Sequence, residues 1–74
     1  MLGVNLTVDQ IRNRATELLS ELLQLHPLAT SDSQRRDLKQ ARDYLKSAAE
    51  TGVEDKLRLG QYWLAVVSAH VRMV

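Results

Sequence analysis

Three times along this chain, apolar residues recur at spacings of three and four. The first series is Val8, Ile11, Ala15, Leu18, Leu22 and Leu25. The second is Leu38, Ala41, Leu45 and Ala48, and the third is Leu57, Gly60, Leu64, Val67, Val71 and Val74. Such spacing stacks side chains on one face of an α-helix and gives each helix a stripe to bury against its neighbours. The fold class that follows is all-α: a three-helix bundle or helical hairpin with a long apolar C-terminal helix.

Local signals set the borders. Thr7 followed by Gln10 is a capping box, in which two side chains satisfy backbone N–H groups that the first helical turn leaves unpaired. Leu6 and Ile11 occupy the two positions of a hydrophobic staple. Leu19 and Leu23 widen the first seam, while Arg12, Asn13, Glu17, Ser20 and Gln24 take the wet side. Pro27 is expected to force His26 away from helical angles and end the first helix near Gln24 or Leu25. The stretch HPLATSDS then reads as a loop. Ser31 with Gln34 offers a second capping box, and Asp32 places negative charge at the positive end of the helix dipole. Gly52 suits the left-handed position after a helix end, with Val53 as the accompanying apolar contact. Thr51 with Glu54 reads as a third capping box. The expected helices are 8–25, 32–50 and 53–73, in one domain covering residues 1–74, with the third helix central.

At 74 residues the chain stands near the size, roughly 70–80 residues, below which one apolar core rarely suffices. Small domains turn to disulfides, metals or oligomerisation for support. The sequence has no cysteine, which removes disulfides and thiolate metal sites. His26 and His70 stand far apart with no companion ligand spacing. Oligomerisation remains.

The third helix supplies a reason for it. Beside its first stripe, Leu59, Trp63, Val66, His70 and Met73 form another, with Tyr62 adjacent. Its polar strip is only Arg58, Gln61, Ala65, Ser68 and Arg72. Helix two presents mainly alanine, so the first two helices are expected to cover one flank of the third and leave the other bare. Each large side chain buried there would be worth on the order of 1.5–3 kcal/mol. The cheapest cover is a second copy, with two C-terminal helices crossing about a twofold axis. Leu59, Tyr62, Trp63, Val66, His70 and Met73 are therefore the candidate protein interface.

Helix two carries the other candidate surface. Arg35, Lys39, Arg42 and Lys46 lie at four-three-four spacing with Arg36 alongside, a basic stripe able to track phosphates. Asp32, Asp37, Asp43 and Glu50 are interleaved within pairing distance. Long basic stems also cover apolar surface while their heads stay in water, so nucleic acid ranks behind protein as a partner. A helix-turn-helix over residues 47–64 fails because Arg58 and Gln61 stand where core residues are required.

Nothing in the sequence assembles a nucleophile, a base and an orienting group. Glu17 and Glu21 share a helix face, but no further ligand completes a metal box. The reading is of a non-enzyme with no cofactor, no metal and no small-molecule substrate. A net charge of +1 provides no global attraction to nucleic acid or anionic membranes. The longest uncharged run, Leu59 to Val71 once Gln61, Ser68 and His70 are allowed for, falls short of the ~20 apolar residues of a membrane span. No secretory signal opens the chain, so a cytoplasmic location is expected and Asn5-Leu6-Thr7 is a chance glycosylation match. The resulting expectation is a small homodimeric regulator or inhibitor that occludes a larger protein, of the kind encoded by phages and other accessory elements. The alternatives are a nucleic-acid-binding regulator and a helical co-chaperone that covers a client helix.

Overall fold

The computed structural model describes residues 6–72. Its helices are α1 (Val8–Leu25), α2 (Asp32–Thr51) and α3 (Glu54–Arg72), with a short 3-10 turn at His26–Leu28. No strand occurs among the described residues. Two of the three expected amino-terminal caps form. Thr7 Oγ1 accepts from the Gln10 N–H at 3.1 Å, and Gln10 Oε1 accepts from the Thr7 N–H at 2.9 Å. At α2, Ser31 Oγ accepts from the Gln34 N–H at 3.1 Å, while Gln34 Oε1 reaches back to the Thr30 and Ser31 N–H groups. In each case a short polar side chain replaces the backbone acceptor that a first turn lacks.

Both connections differ from expectation in detail. Pro27 ends α1 but leaves His26 helical, at φ −54° and ψ −48°. The proline opens the 3-10 turn instead, where its missing N–H interrupts no established ladder. The His26 N–H still bonds to the Leu22 carbonyl. The Ala29 N–H bonds to the His26 carbonyl at 3.3 Å, and Ala29 drops into the core.

At the second corner Gly52 is left-handed, with φ 71°, and its N–H bonds to the Ala48 carbonyl at 2.8 Å. Glycine meets that angle without Cβ strain. The expected third capping box is absent. Thr51 belongs to the last turn of α2, where its hydroxyl donates to the Ser47 carbonyl at 2.7 Å. The Thr51 oxygen also accepts from the Val53 N–H at 3.4 Å, one residue before α3 begins, and not from the Glu54 N–H; the Leu57 N–H bonds to the Val53 carbonyl as in any first turn. Glu54 and Asp55 in its first turn oppose the helix dipole's positive end. Val8 packs on Gly52: a Cβ there would fall 2.5 Å from Val8 Cγ1, while Val53 is exposed.

The core is the set of inner stripes read from the spacing. Ile11, Ala15, Leu18 and Leu22 of α1, Leu38, Ala41, Leu45 and Ala48 of α2, and Leu57, Leu64 and Val67 of α3 are all buried. The first seam is narrower than expected: Val8 is 51% and Leu23 68% exposed, and Leu25 is half-buried. The middle of the bundle is α2, not α3. It packs along both neighbours, most extensively along α3, whereas α1 and α3 meet far less. The alanines explain this. Ala41 and Ala48 are fully buried, and their small side chains let two helices approach α2 closely on adjacent flanks. The molecule is accordingly flattened, with extents of 38 × 26 × 16 Å.

A close approach lies on the α2–α3 seam. Gly60 faces Leu45 so tightly that a Cβ there would stand 2.5 Å from Leu45 Cδ2 and 3.2 Å from the Leu45 backbone nitrogen. Leu45 itself is fully buried.

Candidate interaction surface

Because α3 packs on α2 through Leu57, Gly60, Leu64 and Val67, its helical period fixes what faces outward. Leu59, Trp63, Val66 and His70 lie at spacings of four, three and four, close to two hundred degrees around the axis from Leu57. Leu59 is 40% and Tyr62 60% exposed. Trp63 and Val66 are half-buried, and His70 is exposed. Five of the six residues expected at an interface therefore share one flank of α3. The sixth, Met73, lies outside the described residues.

Trp63 divides its surface between two tasks. One side packs against the buried cluster; the rest remains at the surface beside Tyr62, whose ring meets it edge-on at 5.5 Å with an interplanar angle of 80°. That edge-to-face arrangement suits the ring quadrupoles and holds two large aromatic surfaces in a fixed relation. At the near end of the flank, the Lys56 ammonium stands 5.5 Å from the centre of the Tyr44 ring, within cation–π range.

The polar strip of α3 has a role that its composition hinted at and the periodicity did not reveal. Gln61, Leu64, Ala65 and Ser68 form one wall of a furrow whose other wall is Arg14, Leu18 and Glu21 of α1, about 310 Å³ in volume. A second depression of about 220 Å³ continues it past Gln24 and Leu25. The small Ala65 and Ser68 leave this space; their presence in an otherwise polar strip was the available signal.

The five basic residues of α2 are all exposed, but they do not act as one strip. Arg35, Lys39 and Arg42 surround a depression of about 150 Å³ between α1 and α2, together with His26, over a floor of Leu22 and Leu38. Arg36 does not line it, and Lys46 lies in a different hollow with Asp43, Ser47 and Glu50. Two ion pairs accompany the set: Arg35 with Asp32 at 3.6 Å and Arg42 with Asp43 at 3.9 Å. His26 was read from the sequence only as a residue near a helix end. Antiparallel packing of α1 and α2 brings it alongside the arginines, a relation that requires the tertiary fold.

No helix of the described residues is long and apolar enough to cross a membrane, and no group of three His, Asp or Glu side chains among them is placed to hold a metal ion. Comparison of the chain with protein-family models, with curated proteins and with solved structures finds no match.

Proposed function

We propose that this chain is a non-enzymatic helical interaction module, a homodimeric regulator or inhibitor that pairs through the outer flank of α3 and covers a larger protein. The observation that carries this reading is the contrast between the two stripes of one helix. The inner stripe is closed off by α1 and α2, while Leu59 and Tyr62 stay at the surface next to half-buried Trp63 and Val66. Tryptophan and tyrosine are among the residues enriched at interface hot spots. A twofold axis across α3 would set Trp63 and Tyr62 against their own copies and dehydrate both at once.

The test is sedimentation equilibrium of the wild type beside Leu59→Glu/Tyr62→Glu. Both positions are exposed, so the double variant keeps its helical circular dichroism. The wild type should show twice the 8.4 kDa chain mass. The variant, losing contacts typically worth ~2 kcal/mol or more at each hot spot, should sediment as a single chain. A wild type that stays at one chain mass at 100 μM refutes the dimer. The larger partner is then sought by capture from native-host extract, comparing wild type with the double variant.

A second reading has its own observation. The furrow between α1 and α3 joins an apolar floor of Leu18, Leu25 and Leu64 to polar walls, the form that takes an amphipathic helix. A co-chaperone working this way would lose client binding on Leu64→Glu or Ala65→Arg and keep it in the α3 flank variant.

A further inference from the structure

The geometry points to the phosphoryl group of a phosphate-bearing anion bound in the depression between the end of α1 and the first turns of α2, held by His26, Arg35, Lys39 and Arg42. These four side chains come from two elements and surround one hollow of about 150 Å³. A water takes up roughly 30 Å³, so the hollow is ample for a tetrahedral oxyanion of five heavy atoms. The 3-10 turn sets His26 in place. Its N–H is held by the Leu22 carbonyl and its carbonyl by the Ala29 N–H, and its side chain lines the hollow.

The donor set favours phosphate over carboxylate. A carboxylate is matched by one guanidinium fork, whereas two arginines, a lysine and an imidazole suit a ligand with three or more acceptor oxygens and more than one charge. The local carboxylates leave this capacity largely unused. Asp32 and Asp43 meet Arg35 and Arg42 at 3.6 and 3.9 Å, longer than the ~2.7–2.9 Å of a charge-assisted hydrogen bond. Among the described residues, Lys39 and His26 have no carboxylate within 4.0 Å. No acidic residue of α1 lines the hollow; its walls are those four groups and its floor Leu22 and Leu38. This site is separate from the α3 flank and does not depend on dimerisation.

Pyrophosphate is the probe, titrated into the 15N-labelled full chain while the His26 ring and the arginine Nε signals are followed. Saturable shifts confined to His26, Arg35, Lys39 and Arg42 are expected. Lys39→Ala/Arg42→Ala should weaken binding about tenfold or more, the loss typical of removing charged hydrogen bonds. Arg36→Ala and Lys46→Ala, which keep the hollow intact, should change it less than about twofold. Circular dichroism checks that each variant stays folded. Absence of saturation at 10 mM pyrophosphate overturns the site. So does an equal loss per charge removed in all three variants, which would mean diffuse attraction to the surface. A single-stranded oligonucleotide provides the second arm. If it displaces pyrophosphate with steep salt dependence and needs Arg36 and Lys46 as much as Lys39, the ligand is a backbone tracked by the whole stripe, and the assignment to the hollow is wrong.

Discussion

Replacing Gly60 with alanine sets two known effects against each other. Alanine is favoured over glycine inside a helix by about 1 kcal/mol, so local propensity alone predicts stabilisation. The α2–α3 seam predicts the opposite. The new Cβ would lie 2.5 Å from Leu45 Cδ2 and 2.6 Å from Cγ, against a comfortable carbon–carbon separation of about 3.5–4.0 Å. Leu45 is fully buried and has no free space to rotate into. Moving its side chain would also leave the 3.2 Å approach to its backbone nitrogen. The helices must therefore separate by about 1 Å, and overpacking of this kind costs ~1–3 kcal/mol. The propensity gain and this loss combine to a net destabilisation of up to about 2 kcal/mol.

In a domain of this size that lowers the thermal midpoint by up to roughly 15 °C. Circular dichroism at 222 nm, at one fixed protein concentration because association shifts midpoints, measures it. The sharper form uses a second background. Leu45→Ala alone should cost about 2–5 kcal/mol through its cavity, and in that background Gly60→Ala should lose most of its penalty and become stabilising by at most about 1 kcal/mol, the 3.2 Å backbone approach remaining. A single Gly60→Ala variant with a raised midpoint would refute the reasoning, since it would show that α3 does not press on Leu45.

Three other perturbations have definite outcomes. Gly52→Ala, forced to adopt φ 71° beside Val8, should lose about 1–3 kcal/mol in urea unfolding; an unchanged midpoint would mean that the corner is not left-handed. Thr7→Ala and Ser31→Ala should each cost about 1 kcal/mol and add, because the two caps share no partner. Raising NaCl to 1 M should alter stability by less than about 1 kcal/mol, since every ion pair between described residues is surface-exposed and 3.6–4.0 Å long.

The readable parts of the sequence were those governed by local chemistry. A helical period identifies its own inner stripe, so Leu18, Leu45 and Leu64 could be assigned to the core from spacing alone. Capping boxes are three-residue relations, and those at Thr7 and Ser31 formed as written. Thr51 shows where such reading stops. The same residue matched a cap for the next helix and the end of the preceding one, and its hydroxyl went to the Ser47 carbonyl one turn back. Non-local facts were illegible. That α2 is the middle helix follows from what its alanines let two neighbours do together, and Gly60 looked like one more small member of a stripe until Leu45 was opposite it. The outer flank of α3 was readable because it is a property of one helix. The hollow around His26 was not, because its walls belong to two.

The arrangement of α1, joined to the rest mainly along α2 and only lightly along α3, has a consequence for how the molecule breathes. Partial opening need sever only one well-packed boundary to release the first helix, while freeing α3 means prising apart the tightest one. Amide protons of α1 should thus exchange with solvent through an excursion smaller than complete unfolding, and those of the Leu45–Gly60 neighbourhood only when the entire chain comes undone.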